Sequence, residues 1–250
     1  MNCLSQMIGY FSYAIEQLGL YEPEINVQEA RRRLNLERKL WEKSQSDRNE
    51  LWNIFQTDNM TNGPLPSLVE KAITHLESHN IKRGVAVDLS CGINTTTFNL
   101  LEQGWKVYAV DSSEFVIKNL EQKASSIGKS WINDGKLVLI NQAIEEFAYP
   151  EKVHLITATE SLPYCDPTKI TKIFLEAKSA LLPQGVLVCN LFPYTNFPVD
   201  NMLRGMFGGW MTTKNVVEAV VRSVDFSSWS VTEGKSPQGL AKQFHIFAQA

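Results

Sequence analysis

The sequence lacks several features that would each point to a function class. Its four cysteines, Cys3, Cys91, Cys165 and Cys189, form no Cys-x-x-Cys pair. That spacing argues against both a zinc framework and a disulfide framework, and it predicts a reducing, cytoplasmic setting. No apolar run approaches the ~20 residues of a membrane helix. The first 30 residues hold no Lys or Arg, so no Sec-type signal is expected. Positive charge is not in excess: 24 Lys and Arg against 27 Asp and Glu leave a net charge of -3. Without a global basic field, neither nucleic acid nor an anionic membrane is an expected partner. His75 and His79 stand four apart but lack the His-Glu-x-x-His order, so they read as surface histidines and no metal site is expected. Internal repeats and low-complexity segments are also missing.

What remains is an ordinary globular composition, 44% hydrophobic and 20% charged, on a chain long enough to bury a substantial core. Residues 1–60 contain no convincing strand. Ile8, Phe11, Ile15 and Leu18 recur at helical spacing, and a second helix is expected from near Asn26 to about Ser44, with Val27, Ala30, Leu34 and Trp41 on one side. The charged face of that helix, including Glu29, Arg31, Arg32, Arg33, Glu37, Arg38 and Lys39, mixes both signs and reads as a solvated surface with i,i+4 pairs. The apolar faces of both helices need a partner surface, either as a lid over a pocket or as a homodimer contact. After a loop at Asn62 to Pro66, a further helix is expected over Ser67 to Ser78.

From Gly84 the pattern alternates strand and helix. Strands are expected at Val85–Asp88, Lys106–Val110, Leu137–Ile140, Leu155–Ala158 and Val186–Leu191, the last entered through a turn at Pro183-Gln184-Gly185. Helices fall at Thr96–Gln103, after the capping residue Ser113, after Pro167 and at Thr213–Val224. Two last strands, near Trp229–Thr232 and Phe244–Ala248, have no helix between them and should pair antiparallel at one edge. The expected fold is therefore α/β: a Rossmann-like, doubly wound, seven-stranded sheet with an antiparallel C-terminal strand pair. Residues 61–250 form this domain and residues 1–60 a helical N-terminal extension. Such sheets bind ligands at the carboxyl ends of their strands, where the strand order reverses.

The densest chemical signal is Val85-Ala-Val-Asp-Leu-Ser-Cys-Gly-Ile-Asn-Thr-Thr-Thr97. Gly92 lets the backbone pass close to a ligand, Asn94 tolerates a left-handed conformation, and the helix behind them presents free amide N–H groups. Asp111 follows Asp88 by 23 residues and ends the next strand. There its carboxylate, expected to face the cleft, can accept from both hydroxyls of a ribose.

These runs resemble the class I S-adenosylmethionine-dependent methyltransferases. Asp88-Leu-Ser-Cys-Gly-Ile-Asn94 is similar to the family's Asp-Leu-Gly-Cys-Gly-x-Gly, with Ser90 and Asn94 in place of two glycines. Gly104 to Ser113 resembles its second motif, and Leu181-Leu-Pro-Gln-Gly185 its Leu-x-Pro-Gly-Gly turn. Leu155 to Cys165 is similar to the fourth strand and following loop of small-molecule methyltransferases near the tellurite-resistance group. The resemblance runs from about Trp52 to the C-terminus.

The resemblance implies S-adenosyl-L-methionine as cofactor, held by Asp88, Ser90, Gly92, Asn94, Asp111, Ser112, Ala143, Ile144 and Thr159. Ala143 stands where the family often places an acid for the adenine amino group, which leaves the backbone of Ala143 and Ile144, or the Gln142 side chain, to hold adenine. A small-molecule methyl acceptor would meet the loops after strands four and five, where Glu160, Tyr164 and Tyr194 are the polar candidates. Phe192, Tyr194, Phe197, Phe207 and Trp210 could line its pocket or cover the sheet edge. No specific acid or base is required for catalysis, since the cofactor itself is the electrophile. Two rivals stand beside this reading. An NAD oxidoreductase fits poorly, because Ser90, Gly92 and Thr95 occupy the places of its three glycines. The other is a methyltransferase fold that has lost activity and serves as a binding module.

Overall fold

The computed structural model describes residues 24–43, 65–93, 96–194, 209–236 and 242–250. The expected helix around Ile8 to Leu18 lies outside them. Five strands, β1 (Val85–Leu89), β2 (Lys106–Asp111), β3 (Leu137–Asn141), β4 (Val153–Ala158) and β5 (Leu181–Pro193), are followed by β6 (Met211–Thr212), β7 (Ser228–Lys235) and β8 (Lys242–Gln249). The sheet order is β3-β2-β1-β4-β5-β8-β7, with the short β6 pairing beside the end of β5. The first five strands are mutually parallel, and β8 runs antiparallel between β5 and β7. The expected seven-stranded sheet and its antiparallel end are thus present, with β6 as an eighth short strand.

The central strands are near-continuous apolar runs because helices cover both faces of the sheet. On one face, α2 (Ser67–Ser78), α3 (Thr96–Glu102) and α4 (Glu114–Ser126) pack on Ala86, Val107, Ala109, Leu155, Val186 and Val188. On the other, α1 (Val27–Lys43), α5 (Ile170–Ala180) and α6 (Lys214–Ser223) cover Val87, Leu89, Ile156, Leu187, Cys189 and Leu191. Alternate residues of β1 and β5 therefore belong to different cores, as a period of two requires.

Three local expectations change. The Pro183-Gln184-Gly185 segment does not precede β5 but lies within it as an excursion. Val153 pairs with Leu181 and Leu155 with Val186, and Gln184 takes φ 69° to absorb the extra residues. His75 is half-buried rather than on the surface, its ring edge-on to Phe247 at 5.2 Å and 4.5 Å from that of His79. The largest change concerns α1. Asn26 caps it by accepting from the Glu29 amide at 2.9 Å, and Arg33–Glu29 and Arg38–Glu42 lace its outer face as expected. Its apolar side, however, is not spare: Ala30 and Leu34 are buried in the same core as Phe174, Trp210 and Val217. That face is occupied within the chain, so it is not a homodimer contact, and α1 is built into the sheet domain rather than appended to it.

Candidate active site

The chain leaves β1 towards β2 on one side and reaches β4 and β5 on the other, so the strand order reverses between β1 and β4, and the carboxyl ends of these strands are where such sheets bind ligands. The loop after β1 is Ser90 to Ile93. Ser90 (φ 53°) and Gly92 (φ 54°) both adopt left-handed backbone. Serine does so at a steric cost that glycine avoids. The Cys91 amide donates to the Val110 carbonyl at 3.0 Å, which ties the loop to β2. Asn94 lies outside the described residues.

Asp88, the fourth residue of β1, points into the α2–α3–α4 face. One carboxylate oxygen accepts from the Thr157 hydroxyl of β4 at 2.6 Å and the other from the Thr97 hydroxyl of α3 at 2.7 Å. It therefore joins two strands to the helix behind the loop. Burial pushes its carboxyl up to about 6, with the two hydroxyls pulling against that and the Asp111 charge adding to it.

Asp111 ends β2 and does not simply face the cleft, as expected. It is 7% exposed, and its two oxygens accept from the Gly92 amide at 3.1 Å and the Ser113 amide at 2.9 Å. Burial raises its carboxyl above the usual range, and the two backbone donors oppose this. The carboxylate thus clamps the loop after β1 to the start of α4. Each oxygen has a second lone pair, so the clamp leaves acceptors for a diol. Ser112 beside it is exposed, and Ser113 caps α4 by accepting from the Val116 amide.

Beyond β3, Ala143 is half-buried and Ile144 buried, opening a short 3-10 turn to Glu146. The Gln142 amide at the same place donates to the Glu146 carbonyl at 2.9 Å, so its side chain braces this turn. Asp88, Gly92, Asp111, Ser112 and Ala143 thus sit at neighbouring strand ends.

The loop after β4 closes the other side. Thr159 accepts through its carbonyl from the Ser161 hydroxyl, which also reaches the Leu89 carbonyl at 3.0 Å and so seats this loop beside Ser90. Glu160 has φ 59°. Its amide donates to Asn190 Oδ1 at 2.6 Å, and its Oε1 accepts from Asn190 Nδ2 at 3.4 Å and from Gln243 Nε2. Tyr164 packs edge-on against Phe192, and its carbonyl accepts from the Trp41 indole of α1 at 3.0 Å. Tyr194 donates to Glu37 of α1, whose other oxygen accepts from the Met211 amide at 3.4 Å. Phe192 and Trp210 are core residues at 3% and 1% exposure, so they cover the sheet edge; Phe197 and Phe207 lie outside the described residues.

The sequence reading missed the contribution of α1 to this end of the sheet. Glu37 was assigned to the charged face, yet it is 3% exposed. Its position three residues after Leu34 and four before Trp41 was the available signal.

Residues 86–185 match the family model described as a methyltransferase domain. Among solved structures, the chain is similar to the 1,6-didemethyltoxoflavin-N1-methyltransferase of Burkholderia thailandensis, with 1,6-didemethyltoxoflavin and S-adenosylhomocysteine bound. The TM-score is 0.57 at 16% identity, over 92% of each chain. It is also similar to the magnesium protoporphyrin IX methyltransferase of Synechocystis PCC 6803 with bound S-adenosylhomocysteine (TM-score 0.57, 14% identity, 78% of this chain and 93% of that one). A third match is an S-adenosylmethionine-dependent methyltransferase of Leishmania major (TM-score 0.56, 13% identity, 84% and 83%).

Proposed function

We propose, from the match of residues 86–185 to a methyltransferase domain, that the chain transfers a methyl group from S-adenosylmethionine to a small-molecule nucleophile. The observation that carries this reading is the Asp111 clamp. A buried carboxylate at the carboxyl end of β2 is joined to the loop after β1, beside the switch between β1 and β4. The residues fit the cofactor: Asp111 keeps one free lone pair on each oxygen for the ribose diol, and the left-handed turn at Ser90 and Gly92 brings backbone rather than side chain to the crevice. When bound, the cofactor supplies an electrophilic methyl group on a sulfonium. This chain's part is to hold the ribose with Asp111 and to frame the acceptor between Glu160, Tyr164 and Tyr194, aligning nucleophile, carbon and sulfur. A small acceptor is supported by the toxoflavin-type enzyme, which matches nearly the whole chain.

Calorimetric titration tests the reading. S-adenosylmethionine and S-adenosylhomocysteine should bind and NAD should not. Binding of NAD alone, or of none of the three, would refute it. Cofactor binding without turnover of any acceptor would favour the binding-module alternative.

A further inference from the structure

The geometry points to Glu160 as the group that receives the acceptor's proton, and hence to an acceptor whose nucleophilic atom is a nitrogen or oxygen bearing hydrogen. This inference rests on the methyltransferase reading and adds the acceptor class and the residue that reads it.

Glu160 is held by its surroundings to an unusual degree. Its left-handed φ of 59° is one that non-glycine residues adopt only when neighbouring contacts enforce it. Here the enforcing group is Asn190 on β5, 1% exposed, whose amide accepts from the Glu160 N–H and donates to its Oε1. Gln243 on β8, 2% exposed, donates to the same oxygen. Two buried amides therefore aim one carboxylate, and each donates to Oε1. Among the described residues Oε2 receives no hydrogen bond, although the side chain is only partly exposed. Oε2 keeps contact with solvent, so it is the oxygen of this carboxylate that a ligand can reach.

Its place says what could. Ser161, the next residue, is bonded to the Leu89 carbonyl at the mouth of the Ser90–Ile93 loop. Glu160 thus stands between the loop after β1 and the carboxyl end of β5, beside the switch between β1 and β4. Burial raises its carboxyl above the ordinary range, which makes it a better proton acceptor near neutrality, and only the Gln243 bond opposes this. The groups against it from β5 and β8 are neutral amides. Among the described residues no charged neighbour adds to that shift; the titratable groups on the same sheet face are His245 of β8, Lys71 of α2 and Asp88 of β1.

The step balances without a further reactant. The lone pair of the N–H or O–H nucleophile forms the bond to the methyl carbon, and the carbon–sulfur pair returns to sulfur, giving the neutral thioether. The proton leaves the methylated atom for Glu160 Oε2 and then passes to solvent. Acceptors that are already anionic, such as carboxylates, need no such group and would be repelled by it.

Sinefungin tests the placement without knowledge of the acceptor, because its ammonium sits where the transferable methyl would be. In titrations of the full chain, wild type should bind sinefungin about tenfold or more tightly than S-adenosylhomocysteine. Glu160→Gln should bind the two within about twofold, with S-adenosylhomocysteine affinity unchanged. Equal affinities in wild type would overturn the inference and leave the methyltransferase reading standing, whereas binding of neither ligand would overturn both. The pH profile of wild type gives a second measurement should Glu160→Gln not fold. The sinefungin preference should fade as acid protonates Glu160, and a preference that is flat down to pH 4 would refute the role. With a panel of small amines, phenols, carboxylic acids and thiols, product release should be seen for amines or phenols. Glu160→Gln should slow it about 100-fold or more, and turnover confined to carboxylic acids or thiols would refute the acceptor class.

Discussion

Removing the Asp111 carboxylate should do two separable things, and the structure sets the size of each. Asp111→Ala leaves the Gly92 and Ser113 amides without their acceptor. Bonds to a charged group contribute about 1.5–3 kcal/mol each. Part of that is offset, because the mutation also relieves the burial that raises the carboxyl. A net loss of about 1–3 kcal/mol is expected, which at roughly 2–4 °C per kcal/mol lowers the melting temperature by several degrees. Cofactor affinity should fall by about tenfold to several hundredfold as the ribose loses its acceptor, at ~1.4 kcal/mol per factor of ten. Loosening of the loop could mimic part of that second effect. The assay therefore pairs S-adenosylhomocysteine with its analogue lacking both ribose hydroxyls. Wild type should discriminate strongly between the two, and Asp111→Ala should hardly do so. Undiminished discrimination in the mutant would mean the ribose lies elsewhere, and an unchanged urea melt would mean the clamp does not hold the loop.

Further outcomes follow from the same contacts. Ser90→Gly removes left-handed strain at φ 53° and should stabilise the protein by about 0.5–1 kcal/mol; a destabilised melt would show that the serine side chain is needed. Asp88 has its carboxyl raised to about 6, so its favourable contribution is complete below the unfolded value and is lost as pH rises through 6. Wild type should therefore lose about 3 kcal/mol relative to Asp88→Asn between pH 3 and 7, at 1.36 kcal/mol per unit of pKa difference, and parallel pH profiles in urea melts would refute this. Leu34→Ala should cost about 2–5 kcal/mol, because Leu34 is buried among Phe174, Leu191 and Trp210; a cost near zero would mean α1 is an appendage. A double-mutant cycle of Glu37→Gln with Tyr194→Phe should show coupling of about 0.5–3 kcal/mol, and strict additivity would remove the bond between α1 and the loop after β5.

The sheet was legible because its strands are short apolar runs bounded by Gly and Asp, and because the spacing of Asp88 and Asp111 encodes one strand-helix-strand unit. Even the edge pair β7 and β8 could be read, since no helix separates them. Ser113 was legible as a cap because capping is a local event. The Asp111 clamp was not. Its donors, Gly92 and Ser113, lie 19 and 2 residues away, and a backbone amide carries no signature in sequence. Pattern reading could find the carboxylate but not its present partners.

The same reasoning accounts for the acceptor side. Asn190 falls in a run read only as a buried strand, and Gln243 just before the strand expected at Phe244–Ala248, so neither residue type drew notice. What joins them to Glu160 is that β8 inserts antiparallel against β5, placing Asn190 opposite His245 and Gln243 two residues farther on. A buried amide in the middle of an apolar strand is the one sequence signal for such a cluster, because burial without a partner would cost about 1–3 kcal/mol. Glu37 in α1 follows the same rule, being a carboxylate on the apolar stripe of a helix. Both point to the carboxyl end of the sheet. On the proposed function, polar residues out of place in apolar patterns mark the acceptor side, as the Asp88 and Asp111 spacing marks the cofactor side. Substitutions at Asn190 and Glu37 should change acceptor use before they change cofactor affinity. If Asn190→Ala or Glu37→Gln weakened S-adenosylhomocysteine binding as much as Asp111→Ala does, the two sides would not be separate, and this division of the site would fail.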